Sequence, residues 1–443
     1  MLSKKLLQFV LAVLILPAFA LAQNTTSSLS GSVKTNTGEV LVGATVTATH
    51  EPTGTTYRVQ SRAGGRFDIS NMNPGGPYIV EVSFLNYANE KKTDLYLSLG
   101  DVLKVDFALA SKVNNLGNVT VSSLRKTTET SGKGGAETTI GRDKMANLPT
   151  VGRNIYDYLR AVPQAKLVNG SEGAVSIAGQ NNRYNAFYVD GAINNDVFGL
   201  SASGTNGGQA AIAPLSIDAI DQFQVVISPF DASLGNFTGG GINAITRSGT
   251  NKTSASVYYF LQNQDLAGKT PTGLKENATR LNNFSKKTYG FRLGGAITKN
   301  KLFYFVNVDL QRDLRPQPFD FSQYNGNTKD INVLNSLAAT LKSNFNYDAG
   351  GFLDNTEEVN ADRITARLDW NINDRHKLSL SNRYTKGERL NTSTSSSGTI
   401  NFYNNGFQFP TTTNSTSAEL KSLVGKNASN KMLVTYTDVN DDR

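Results

Sequence analysis

The chain contains no cysteine and only two histidines, His50 and His376. Without thiols there can be no disulfides, zinc ribbons, iron–sulfur centres or cysteine nucleophile. Two isolated imidazoles leave little for metal ligation or for acid–base catalysis, so an enzyme is not expected and neither is a cofactor. A third absence is a long greasy run. After Ala22 no stretch of about 18 apolar residues occurs, so no membrane-crossing helix is expected. Nor do the cations cluster. Lys and Arg number 44 against 36 Asp and Glu, a net +8, but the densest groups are pairs such as Lys91-Lys92 and Lys286-Lys287. That is a solvated, mildly basic surface rather than a nucleic-acid footprint.

The composition of the 443 residues, 38% hydrophobic and 18% charged, is too polar for a helical membrane protein and too apolar for a disordered chain. The length suggests two or three domains. Residues 1–22 read as a cleaved secretory signal peptide. Lys4 and Lys5 precede the apolar stretch Leu6 to Leu16, Pro17 breaks the helix, and Ala20-Leu21-Ala22 supplies the cleavage site. An exported chain with no spanning helix is either soluble outside the cytoplasm or part of a β-barrel.

Residues 23–110 read as a small β-sandwich. Short β-branched runs alternate with turn chemistry at Asn36-Thr37-Gly38-Glu39, Ala63-Gly64-Gly65-Arg66 and Asn73-Pro74-Gly75-Gly76. Residues 111–136 form a polar linker around one extended apolar island, Leu116-Gly117-Asn118-Val119-Thr120-Val121. That island is either a strand for pairing with a partner's sheet edge or the first strand of the next domain. Residues 137–252 mix helix and strand. Asn154 can cap a helix that places Ile155, Tyr158, Leu159 and Val162 on one face and stops at Pro163. The glycines Gly239-Gly240-Gly241 lack the lysine of a phosphate loop and suit close packing against a wall.

From Thr253 onward alternation dominates. Phe291, Leu293, Gly295 and Ile297 interleave with Arg292, Gly294, Ala296 and Thr298, and Ile364, Ala366, Leu368 and Trp370 interleave with Arg363, Thr365, Arg367 and Asp369. Runs of about ten such residues suit a strand crossing a bilayer, and equally a soluble sheet with one wet face. Tight turns at Lys299-Asn300 and Asn373-Asp374 alternate with long polar segments, residues 313–360 and 387–417, an arrangement that favours an outer-membrane barrel.

With these motifs in view, the chain resembles a TonB-dependent outer-membrane receptor of the subtype with a carboxypeptidase-regulatory-like domain before the plug, often called Oar-like. The resemblance rests on Gly43-Ala44-Thr45-Val46 with Gly64-Gly65-Arg66-Phe67, then Leu148-Pro149-Thr150-Val151-Gly152-Arg153-Asn154, Tyr188-Val189-Asp190-Gly191, Pro229-Phe230-Asp231 and Gly239 through Asn251. It implies a mainly β chain: a transthyretin-like sandwich, an α+β plug, and an antiparallel barrel in the outer membrane. It also implies partners, namely the TonB complex, outer-membrane lipid, and an extracellular ligand such as an iron chelate, oligosaccharide or peptide. Leu116 to Val121 lies near the TonB-contacting segment, with Asn118 where the family commonly has an acidic residue. The ligand-side candidates on plug loops are Arg183, Tyr184, Asn194, Asn195, Asp196 and Phe198.

A 22-strand barrel needs roughly 220 residues for strands alone, and about 190 follow Thr253. An eight-strand barrel has no room for a plug. About seven strands can be placed, so residues 253–443 are expected to be the first part of a longer barrel. Two other readings carry their own expectations. One is a surface adhesion or assembly protein anchored by the barrel. The other is a carbohydrate-binding first domain with Tyr57, Tyr78 and Tyr87 in a groove.

Overall fold

The computed structural model describes residues 25–112, 120–123, 136–150, 152–168, 173–227, 235–269, 280, 283–425 and 428–442. The expected signal peptide, Leu116 to Val119 and Pro229-Phe230-Asp231 lie outside the described residues.

Among the described residues nine strands make the first unit: β1 (Ser27–Thr35), β2 (Thr45–His50), β3 (Thr55–Gln60), β4 (Arg66–Met72), β5 (Gly75–Ser83), β6 (Glu90–Leu97), β7 (Val102–Lys104), β8 (Phe107–Leu109) and β9 (Thr120–Ser123). One sheet runs β4-β1-β7 with β8 also on β1, and the other runs β3-β2-β5-β6-β9. Strand β2 shows why they pack: Val46 and Ala48 point inward, while Thr45, Thr47 and Thr49 keep β-branched side chains half exposed. The inward sets of the two sheets, among them Leu29, Val33, Phe67, Ile69, Val80, Val82 and Phe107, close one core. Each such side chain contributes about 1.5–3 kcal/mol on full burial. Tyr57 and Tyr78 belong to that core at 3% and 1% exposure, and Tyr87 packs at a tilt against Phe84. The expected glycan groove is therefore not made by these tyrosines, because their rings are spent on packing.

The second unit contains β10 (Glu137–Gly141), α1 (Arg142–Asn147), α2 (Ile155–Leu159), β11 (Ala165–Leu167), β12 (Val175–Ile177), β13 (Ala186–Val189), β14 (Ala192–Ile193), β15 (Ile220–Val226) and β16 (Gly241–Thr246). Its main sheet is ordered β10-β15-β16-β13-β14. Asn154 caps α2 by accepting from the Asp157 amide, and Ile155, Tyr158, Leu159 and Val162 are all buried. The helix ends at Leu159, short of the expected stop, because the amides of Ala161 and Val162 turn tightly onto the carbonyls of Tyr158 and Leu159. The glycines 239–241 pack inside this unit. Side chains at Gly239 and Gly240 would meet Asn185 and Ile177, so they approach their own unit's side chains rather than an outer wall.

Among the described residues seven strands form the third unit: β17 (Ser254–Asn263), β18 (Ser285–Thr298), β19 (Leu302–Pro318), β20 (Asp354–Asn371), β21 (His376–Asn391), β22 (Phe407–Val424) and β23 (Ala428–Asp441). They pair consecutively and antiparallel in one open sheet. Helix α3 (Ile331–Phe345) lies in the loop between β19 and β20. The longest strands reach 17 and 18 residues, well beyond the expected ten. The stretches expected to be loops shrink to residues 319–353 and 392–406. Polar residues such as Asp313, Glu357 and Arg389 are not loop residues; they continue the strands on the inner face.

The sheet is polar inside and apolar outside. One inner rung runs Arg292, Asn307, Thr365, Arg383, Ser415, Thr437 across six strands, and Asn307, Thr365 and Arg383 are buried. Phe291, Ile364, Leu368, Trp370, Leu380 and Tyr436 face outward and exposed. That inversion is the signature of a lipid-facing wall. Among the described residues no helix is long and apolar enough to cross a membrane. The sandwich docks at the tight-turn end of the wall. Asn371 donates to Thr55 Oγ1 at 2.9 Å, Lys421 donates to Asn73 Oδ1 at 3.0 Å, and the Asn251 amide donates to the Pro52 carbonyl at 2.8 Å.

Candidate functional site

Two arginines spaced four apart on β20 share the inner face of the wall, since side chains on one face of a strand recur every second residue. Arg363 donates to the Ala213 carbonyl of the second unit at 2.9 Å, to Asp309 at 2.8 Å and to Gln311 at 2.7 Å. The other oxygen of Asp309 accepts from Ser216 at 3.1 Å and from Tyr258 at 2.8 Å. Arg367 forks onto Asp369 with two bonds of 2.9 Å and reaches Asp190 at 3.2 Å. Asp190 occupies a left-handed turn position, φ 49°, which Asp tolerates better than most residues. It also accepts from the Thr246 amide and hydroxyl and from Ser381. Charges removed from water are costly unless paired and hydrogen-bonded, and here both requirements are met. The arrangement is a clamp between insert and wall.

Beside the Arg363 cluster lies a cavity of about 330 Å³ between the second unit and the wall, lined by Arg153, Asp157, Lys286, Gln311, Asp313 and Arg315 among others. Asp313 is buried. Its Oδ2 accepts from Gln311 and lies 3.7 Å from Arg315, while its Oδ1 has no protein partner. A polar gap of this size holds water. Among the described residues no group of three or more His, Asp or Glu could hold a metal ion.

The residues expected on ligand-side loops separate into two kinds. Arg183 and Tyr184 sit on a short 3-10 turn (Asn182–Tyr184). The Asn182 side chain ties that turn to the loop of residues 195–205 through the Ala202 carbonyl. Phe198 lies at the tip of this loop, 80% exposed beside Val197 and Leu200, and Tyr184 is 57% exposed. The other three are structural. Asn194 is buried, Asn195 accepts from the Phe187 amide, and Asp196 accepts from the amides of Phe198 and Ser201. Of the island expected to contact TonB, Thr120 and Val121 fall in β9, paired with Glu90 and Lys91 of the sandwich.

Three family models match the chain in succession. Residues 28–110 match the carboxypeptidase regulatory-like domain, 130–242 the TonB-dependent receptor plug domain, and 245–323 an outer-membrane beta barrel domain. The chain belongs to the TonB-dependent receptor family. The TonB-dependent transporter Oar of Myxococcus xanthus is 34% identical over 152 residues, which is 32% of this chain and 13% of that protein. The outer membrane transporter YddB from Escherichia coli matches over 70% of this chain and 39% of its own, with a TM-score of 0.50 at 15% identity, a likeness of fold. The chain thus spans less than half the length of these relatives.

In this receptor the second unit is the plug and the seven strands are wall, which places the chain in the outer membrane. The plug–wall clamp escaped sequence reasoning as a site. Its signal was the set of ionised residues, Asp309, Arg363, Arg367 and Asp369, on the inward face of alternating strands.

Proposed function

We propose that this receptor takes up an extracellular ligand across the outer membrane by an energised displacement of its plug. Ligand arrives at the loop end, where Arg183, Tyr184 and Phe198 are the candidate contacts. Binding favours exposure of the segment before the plug, and TonB captures that segment as an added strand and pulls. No bond in the ligand is broken. Residues 1–22 direct export and are cleaved.

The observation that carries this reading is the chemistry of the plug–wall contact. Arg367–Asp190, Arg363–Ala213, Ser216–Asp309 and Ser248–Asp369 are all polar, and the bonds of Arg363 and Asp309 border the cavity, so water can replace them as the plug shifts. Exchanging protein hydrogen bonds for water costs little net free energy per bond, whereas tearing open an apolar core would expose greasy surface. The test is uptake of labelled iron chelate, oligosaccharide and peptide by cells expressing the full-length gene, with and without TonB. TonB-dependent uptake of one class is expected. Equal uptake in both strains for every class overturns the proposal.

A further inference from the structure

Strand β6 has one edge on β5 and the other on β9. Its first four residues, Glu90-Lys91-Lys92-Thr93, pair in parallel with Thr120-Val121-Ser122-Ser123, residue for residue. Just past these residues β6 itself is irregular. The next residue, Asp94, holds a left-handed φ of 59°, and the β5–β6 register shifts opposite it. The bulge limits the regular part of this edge of β6 to a slot of four residues, Glu90–Thr93.

The slot's own side chains are unsuited to casual partners. Charged residues on an edge strand discourage sheet-to-sheet association while leaving backbone donors and acceptors available. Here Glu90 and Lys92 are engaged within the sandwich. Glu90 accepts from the Ala108 amide at 2.7 Å, and Lys92 lies 4.9 Å from the centre of the Phe107 ring. Recognition at this edge therefore runs through main chain. The occupant is held to a body that is itself anchored, since the sandwich bonds to the wall at Asn371 and Lys421 and to plug residue Gln222 through the Leu99 amide.

We propose that the edge of β6 is a cradle for the chain's own pre-plug strand, and that a periplasmic partner pairs with the same edge of residues 120–123 that β6 holds, so that it must first displace them from Glu90–Thr93. One backbone cannot use the same donors and acceptors in two ladders along one edge. The partner's apparent affinity is reduced by the fraction of molecules in which the cradle is filled. This inference rests on the uptake reading above for the identity of the partner, and on the β6–β9 pairing alone for the cradle.

The absence of cysteine makes the test direct. Lys91→Cys with Val121→Cys, a register pair, is introduced into the full-length protein in outer-membrane vesicles, alongside the off-register pair Lys91→Cys with Ser123→Cys. Mild oxidation is expected to cross-link the first pair and to leave the second largely open. The oxidised in-register protein should bind the purified periplasmic domain of TonB at least about tenfold more weakly than after reduction. No preference for the register pair, or equal TonB binding by locked and reduced protein, overturns the cradle. Failure of the reduced and unsubstituted proteins to bind TonB at all, with the in-register cross-link formed, overturns the uptake reading and leaves the strand docking established. If both double variants misfold, hydrogen exchange at residues 120–123 of the unsubstituted protein decides it, and unprotected amides there overturn the cradle.

Discussion

Arg367 on the wall lies 3.2 Å from Asp190 on the plug, and neither residue has a neighbour in sequence that would announce the other. The two meet because β20 turns its odd-numbered residues inward and the Asp190-Gly191 turn of the plug projects toward that face. Asp369 completes the fork on the wall side. Replacing Arg367 with Ala strands the buried Asp190 and the half-buried Asp369 carboxylates, a change that costs about 3–5 kcal/mol. Asp190→Asn keeps an acceptor for the Thr246 amide and should cost about 1 kcal/mol. Hydrogen exchange of β13 and β16 reads both: the Ala variant loses protection across the plug sheet, and the Asn variant loses little.

Gly249 marks the plug's exit into the wall. A Cβ there would land against the carbonyl oxygens of Tyr304 and Gly295, which are backbone and cannot rotate aside. Gly249→Ala should therefore cost about 1–3 kcal/mol through forced displacement. Gly268→Ala is the control, since nothing lies within 4 Å of its Cβ position. The temperature at which the folded form is lost on a semi-native gel should fall for the first and stay put for the second.

His50 gives the sandwich an acid sensitivity. Burial, with a smaller contribution from the Arg142 charge, pushes its imidazole from 6.5 down to about 4. Between these values the unfolded chain binds a proton that the folded domain excludes, so stability falls as pH drops through 6.5 and levels off below 4. The loss amounts to about 3 kcal/mol at 1.36 kcal/mol per pH unit. Exchange protection of β2 amides, followed from pH 7 to pH 4, should decline in the unsubstituted protein. His50→Gln should decline less over the same range.

Alternation makes the wall legible in the sequence, because Phe291/Arg292 and Ile364/Thr365 alternate in character at the strand period. Strand ends were not legible. Asp313, Arg315, Glu357 and Arg389 have the composition of a loop, and only the inner face of the wall beside the plug makes them strand residues with partners. Pairing was hidden for a second reason. Arg363 and Asp309 are 54 residues apart, and their contact depends on a register that the intervening loop and helix do not encode. The plug's cap and helix face were readable from Asn154 and its apolar spacing, since those signals are local. Strand β9 carried an apolar signal, but its partner Glu90-Lys91-Lys92-Thr93 has no apolar residue and reads as solvated surface. The cradle is built from backbone, which composition does not report.

Docking of the sandwich on the wall turns on Lys377, at the tight-turn end of β21. Its ammonium lies 4.3 Å from the centre of the Tyr57 ring and donates to the Thr56 carbonyl at 3.2 Å. A cation held over an aromatic face and shielded from water contributes about 0.5–2 kcal/mol, and here the ring belongs to the sandwich and the cation to the wall. Lys377→Met keeps most of the stem and removes the charge, so the domain itself should remain folded while its seating loosens. Amides of β3 facing the wall should then exchange faster by roughly threefold to thirtyfold, the factor that such an energy implies. Lys299→Met, on an exposed turn nearby, should leave them unchanged. Equal exchange in both variants would mean that Asn371 and Lys421 hold the domain without help from the Tyr57 ring.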